Sequence, residues 1–401
     1  MSRLVFVFLC LAAVLKPCYA ASTVTLDAHV GGDLQKTRFV AFLSKNVEYR
    51  IFSIVDPYRV VVDLPEVQIQ VPGDRGRGLV LSSRAGLLSA GKSRIVIDLV
   101  EPALVEKAEI QPPENGLPAR LVIDFARSTH RAFLAASKAA APPAEPKTIV
   151  AAQSDRNDKR PLIVIDPGHG GVDAGAHGRN TGTPEKDVTF DFSQSLRENL
   201  EKTGLYRIVM TRAIDVFVPL EERAEIASSQ KADVLISIHA DALDPKKLGV
   251  KGLQEVRGGT IYTLSDQASD EQANALAQDE NKADVKAGVS SGDGSPAVSA
   301  EIESILNDLE SRSKRNRSLA LANYLISHLQ QKMRFNIRPQ RAANLRVLKA
   351  TGVPAVLIEL GYLSNDEDEK LLTSKEWRAG IAGKIADAVN SFMRERQVHV
   401  P

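Results

Sequence analysis

The chain has almost no cysteine: Cys10 and Cys18 are the only two in 401 residues, and both fall within the first twenty. Beyond that point neither a disulfide nor a thiolate metal site can form, so any metal must be held by His, Asp or Glu. No apolar run is long enough to span a bilayer comfortably, which takes about 20 residues; the longest is Leu4 to Leu15. An excess of either charge is also missing. Lys+Arg number 51 against 50 Asp+Glu, a net +1 that gives no broad attraction to nucleic acid or anionic lipid. There is no His-Glu-x-x-His, which excludes a metal held on a single helix by that motif. Gly168-His-Gly-Gly-Val-Asp173 lacks the third glycine of a dinucleotide loop, and no Gly-Lys-Ser/Thr follows for a P-loop. Gly288-Val-Ser-Ser-Gly292 has the form of a nucleophile elbow but follows no strand, which argues against Ser290 as a nucleophile.

What is present fits ordinary globular domains, at 43% hydrophobic and 25% charged residues, in a chain long enough for two or three of them. Met1-Ser-Arg3, the apolar run and Cys18-Tyr-Ala20 read as a Sec signal peptide over 1–20, cleaved after Ala20. Its removal takes away Arg3 and Lys16 and turns the net charge to −1. From Thr23 to Phe125 β-branched and polar residues alternate between Gly and Pro turns, so residues 21–127 are expected to form an all-β sandwich. One pattern recurs there: Arg59-Val-Val-Val-Asp-Leu64, Arg94-Ile-Val-Ile-Asp-Leu99 and Arg120-Leu-Val-Ile-Asp-Phe125. Its charges are expected to be strand-end ion pairs on a solvated rim. Residues 128–160, rich in Ala, Pro, Lys and Ser, read as a disordered linker.

From 161 to 401 apolar strands alternate with helices. The expected fold is α/β, with a mainly parallel sheet covered by helices on both faces. Ligands of such sheets sit beyond the carboxyl ends of the strands. Three strands end there in Asp166-Pro-Gly-His169, Ser237-Ile-His239 and Leu357-Ile-Glu359. Among seven histidines only His169, His177 and His239 are placed to act as ligands. Glu359 interrupts an apolar run, where a carboxylate needs a cation or metal nearby or else protonates. Glu185, after Thr183-Pro184, reads by itself as an acid complementing a helix dipole. Two imidazoles and a carboxylate are the ligand set of a catalytic zinc with an open position for water, and a further carboxylate can take that water's proton.

Four ordered motifs carry a family resemblance: Asp166-Pro-Gly-His-Gly-Gly-Val-Asp-Ala-Gly175, Pro184-Glu-Lys-Asp187, Ser237-Ile-His-Ala-Asp241 and Pro354-Ala-Val-Leu-Ile-Glu-Leu-Gly-Tyr-Leu-Ser-Asn365. From about Leu162 onward the chain resembles the zinc-dependent N-acetylmuramoyl-L-alanine amidases of periplasmic cell division. The first domain looks like the AMIN targeting module that precedes them. The resemblance implies that His169, Glu185 and His239 bind Zn2+, that Glu359 is catalytic, and that the substrate is the amide between N-acetylmuramic acid and L-alanine in peptidoglycan. His177 matches no family ligand and reads as a loop residue. The resemblance further implies a regulatory helical insertion over 283–312. Its apolar face of Ile302, Ile305, Leu306 and Leu309 would bury itself while Glu301 or Glu303 blocks the zinc, until a degenerate LytM-type activator withdraws it. The rival readings are another zinc peptidase of the cell wall, such as a carboxypeptidase, and a non-catalytic wall-binding or activator protein.

Overall fold

The computed structural model describes residues 28–72, 76–140, 158–243, 254–289 and 303–398, with the side chains of 303–311 and 396–398 left outside the description. The signal peptide expected over 1–20 lies outside the described residues.

The N-terminal region is all-β. Its strands are β1 (His29–Gly32), β2 (Lys36–Leu43), β3 (Arg50–Ile54), β4 (Arg59–Pro65), β5 (Ile69–Gln70), β6 (Val80–Ser89), β7 (Lys92–Leu99), β8 (Ala103–Gln111) and β9 (Ala119–Arg127). They form two antiparallel sheets, one in the order β1-β2-β9-β8 with β5 added to β2, the other β3-β4-β7-β6. The two-residue period of a strand sends Phe39, Ala41 and Leu43 inward from one sheet and Val60, Val62, Ile95 and Ile97 inward from the other, into one shared core.

The recurrent Arg-apolar-Asp pattern departs from expectation. Two copies paired antiparallel are self-complementary, so β4 and β7 set Arg59 opposite Asp98 and Asp63 opposite Arg94. Arg94 is fully buried and grips Asp63 with two bonds, Nε to Oδ1 at 2.6 Å and Nη2 to Oδ2 at 3.0 Å. The pair is therefore not on a solvated rim, because the face that carries it is covered by the second domain. Only the third copy behaves as expected: Asp124 pairs across the strands with an exposed Arg38.

The linker also begins later than expected. His130–Ala139 is a helix, α1. Thr129 caps it by accepting the Ala132 N–H, and Phe133 is wholly buried against the β-domain core. One aromatic anchor and one capping hydroxyl order this stretch of Ala, Ser and Lys. Residues 141–157 lie outside the described part.

The second domain follows the expected alternation: β10 (Leu162–Pro167), α2 (Glu185–Glu201), β11 (Arg207–Met210), α3 (Leu220–Ser229), β12 (Val234–His239), β13 (Gly259–Leu264), α4 (Glu271–Glu280), α5 (Ala283–Lys286), α6 (Glu303–Leu329), β14 (Phe335–Ala343), β15 (Ala355–Glu359), α7 (Asp366–Thr373) and α8 (Lys375–Val398). Its sheet runs β11-β10-β12-β15-β13-β14. Every neighbouring pair is parallel except β13 with β15, so the sheet is mixed. Ile163, Ile236 and Ile358 meet α2, α6 and α8 on one face, while Leu162, Leu235 and Leu357 meet α3 and α4 on the other. Burial on both faces is why these strands are unbroken apolar runs. Among the described residues no helix is long and apolar enough to cross a membrane.

Candidate functional site

The parallel register of β10, β12 and β15 brings three strand ends to one edge. His239 stands directly opposite Glu359, and the loop after β10 carries His169 past the end of β12, with the Gly168 N–H bonded to the Ile238 carbonyl. His169 adopts a left-handed backbone, φ 59°, which is unfavourable for a side chain other than glycine's unless its surroundings enforce it. Two buried arginines do so. Arg223 donates to the carbonyls of Pro167 and His169 at 2.9 and 2.8 Å, and Arg212 to those of Pro167 and Gly168, both at 3.1 Å. Arg223 is in turn fixed by Asp166, which also accepts from Thr211 and Ser237. Two glycines leave room for the ligands: a Cβ on Gly168 would lie 2.6 Å from the His239 ring, and one on Gly175 would lie 2.7 Å from Glu185.

Glu185 opens α2 and is 1% exposed. Its oxygens lie 3.0 Å from His169 Nε2 and 3.3 Å from His239 Nδ1, and each accepts one backbone N–H, from Ala176 and Ala240. One ligand atom from each of His169, Glu185 and His239 lies within 4.8 Å of the others, and all three residues are buried. Neither His169 Nε2 nor His239 Nδ1 makes a hydrogen bond. Two orphaned buried nitrogens facing a buried carboxylate suit a divalent cation, and the His₂Glu set is that of zinc hydrolases. Burial works against charge on Glu185, yet the adjacent imidazoles hold its carboxyl well below the usual range. Burial also works against charge on His169, yet Glu185, Asp173 and Glu280 raise it well above an ordinary histidine.

Asp173 was not assigned a role in the sequence reading. It holds His169 Nδ1 at 2.9 Å, which leaves Nε2 to face the cluster. Replacing it with Asn should weaken the cluster's affinity for a divalent cation by about 10- to 100-fold, measured by competition with a chromogenic chelator.

Glu359 is fully buried. Its Oε2 accepts the Asp241 N–H at 3.0 Å, and its Oε1 has no hydrogen-bond partner. Burial, reinforced by the charges of Asp241, Glu185 and Glu280, pushes this carboxyl well above the usual range. His177 is exposed on a loop, away from the cluster.

Residues 163–391 match the N-acetylmuramoyl-L-alanine amidase family. The chain belongs to that family. It hydrolyses the amide bond between N-acetylmuramic acid and L-alanine in peptidoglycan. It is similar to the N-acetylmuramoyl-L-alanine amidase AmiC of Neisseria meningitidis, at 30% identity over 89% of this chain and 87% of that one. The AmiC of Escherichia coli is 29% identical over 90% and 87% of the two chains. The AmiA of Escherichia coli is 34% identical over 58% of this chain and 75% of its own.

One carboxylate in the amidase's site was not foreseen. Glu280, the last residue of α4, is buried with Oε2 3.3 Å from His239 Nδ1 and 3.8 Å from His169 Nε2. The space enclosed by the two histidines, Glu280, Asp166 and Arg223 is about 10 Å³, room for roughly one water. Of the two carboxylates expected to block the site, Glu301 lies outside the described residues, as does the side chain of Glu303 at the start of α6. The sequence did hold a signal for Glu280. Asp279 and Glu280 end a helix that has no base in its last turn, where the dipole disfavours acids. Beyond α4 a cleft of about 600 Å³ opens, lined in part by Asp241, Gln272, Leu276 and Asp279.

Proposed function

We propose that the amidase is a zinc enzyme of the periplasm, exported by the Sec pathway, that acts in cell-wall remodelling and daughter-cell separation. The observation that carries this reading is the convergence of His169 Nε2, His239 Nδ1 and Glu185 within 4.8 Å, with both nitrogens buried and without hydrogen bonds. His169, Glu185 and His239 hold the ion, and bound zinc supplies a Lewis acid for the carbonyl and lowers the pKa of a water. The chain's own groups do the rest. Glu359 accepts the proton of the attacking water at Oε1 and passes it to the departing amine of L-alanine, as the C–N bond breaks and a lactyl carboxylate forms. The Asp241 N–H keeps Oε2 in place during the transfer.

Glu280 keeps the resting enzyme closed by standing where substrate and water would approach. An activator of the degenerate LytM type would draw α4 away and open the site by a population shift. The N-terminal domain, read as an AMIN β-sandwich, binds the wall or the division site and contributes no catalytic group.

The test is metal analysis joined to product analysis. The purified chain should carry about one zinc, lose activity to a chelator and regain it with zinc, while His239→Ala should lose both metal and activity. Mass spectrometry of digested sacculi should find intact stem peptides starting at L-alanine. Shortened stems still attached to glycan would point to a peptidase instead. Full activity of the metal-free chain would refute the zinc site.

A further inference from the structure

The N-terminal domain touches the site's own machinery. The centre of the outward face of β3-β4-β7-β6 is covered: Phe52, Val61, Leu88 and Val96 pack with Val172, Phe217 and Ala287 of the second domain in one cluster, every member at most 3% exposed. Val172 follows the His169 loop, and Ala287 follows the α4–α5 segment that presents Glu280. Polar contacts reinforce this packing. Arg84 Nε donates to the Lys286 carbonyl at 2.6 Å, and Arg94 Nη1 donates to that of Gly288 at 2.9 Å. Buried Asp63 fixes the Arg94 fork, so this donor comes pre-positioned. The Phe217 N–H donates to the Leu87 carbonyl at 3.2 Å.

Catalytic-domain polar groups anchor the near half of the segment. Arg346 and the Leu220 N–H bind Asp284, while Asn281 bonds Asn344 and Arg346. The far half, Lys286 to Gly288, takes its polar contacts from the other domain through Arg84 and Arg94, while Lys286 Nζ also bonds Asp279 and Ala287 packs against apolar side chains of both domains. We propose that this sheet face is an intramolecular clamp: the N-terminal domain binds the segment 281–289 and thereby keeps Glu280 seated over the histidine pair. The domain is then an inhibitor of its own catalytic partner as well as a targeting module. The inhibitory half of the proposal rests on Glu280 being the blocking carboxylate; the clamp itself does not.

Gly86 offers a clean way to part the two surfaces. It lies within β6, and a Cβ there would meet the Gly171 carbonyl carbon and oxygen at 2.3 Å and the Val172 nitrogen at 2.6 Å. These are backbone atoms of the other domain, which cannot turn aside as a side chain could. Gly86→Ala should therefore force the domains apart without disturbing the β-domain's core. In the full-length, zinc-loaded chain, hydrogen exchange at the Phe217 amide reports the parting, and exchange at Ile95 and Ile97 reports the integrity of the β-domain. Arg84→Ala, which removes one donor and adds no bulk, is the second variant. We expect exchange across 281–289 to quicken at least 10-fold in Gly86→Ala and by less in Arg84→Ala. Basal hydrolysis of soluble muropeptides should rise several-fold, and Gly86→Ala should add little to a Glu280→Ala chain. Unchanged exchange across 281–289 in both variants, with Phe217 deprotected in Gly86→Ala, would overturn the clamp. Faster exchange without faster hydrolysis, in a chain that Glu280→Ala does activate, would overturn the inhibitory role. If Glu280→Ala alone raised nothing, the blocking reading would fall, and exchange would still decide whether the clamp exists.

Discussion

Glu359→Gln should turn over soluble muropeptides at least about 10²-fold more slowly than the parent enzyme while keeping its zinc. The substitution preserves shape and the bond from the Asp241 N–H to Oε2, but removes the group that can take and return a proton. The strand that carries Glu359 is buried from Ala355 onward and is held in register with β12, so the backbone has no reason to move. A glutamate with an unpartnered oxygen in so dry a place is costly to keep for stability alone. Gln could even stabilise the fold, and a raised melting temperature with collapsed turnover would be the signature of a group kept for chemistry. Loss of zinc in this variant would make Glu359 a ligand rather than a base.

The second large effect runs in the opposite direction. Glu280→Ala should raise basal hydrolysis by 10-fold or more without any activator. If the closed arrangement outweighs the open one by about 99 to 1, the resting enzyme works at about a hundredth of its capacity, which sets the ceiling of the gain. Glu280→Gln should give less, because an amide of the same shape still stands beside both imidazoles while losing the attraction of a carboxylate. Rates measured on muropeptides before and after adding an activator would show the difference narrowing as the activator saturates. An unchanged basal rate in a folded, zinc-loaded Glu280→Ala chain would leave Glu280 as packing.

Most of the candidate site was legible because its residues break local patterns. His169 sits in a glycine-rich turn at a strand end, and Glu359 stands inside an apolar strand. His239 ends another such strand in register with it. Glu185 was legible only through the family's motif, since an acid at a helix start is commonplace and nothing local announces that its oxygens face two imidazoles. The supporting residues were harder to see. Arg212, Arg223 and Asp173 act through bonds to backbone or to one ring nitrogen, and those partners are brought together only by the fold.

The burial of the Arg94–Asp63 pair is hidden from the sequence for a related reason. Strand periodicity gives the face on which a residue lies but not what covers that face, and here a whole domain covers it. The sequence sets Glu301 and Glu303 beside an apolar stripe as candidate blocking groups, and Glu301 and the side chain of Glu303 lie outside the described residues. Glu280 lies upstream on a helix whose sequence offers only an unfavourable acidic end.

A metal is expected between His169, Glu185 and His239, with Glu280 closing the remaining position in the resting chain. Anomalous diffraction at the zinc edge, from crystals of the full-length protein grown without activator, tests this most directly. A single strong peak should stand between His169 Nε2, His239 Nδ1 and the Glu185 carboxylate, with Glu280 Oε2 next to it. A peak elsewhere, or a peak at these three ligands with Glu280 turned away and the site open to the cleft, would contradict the account.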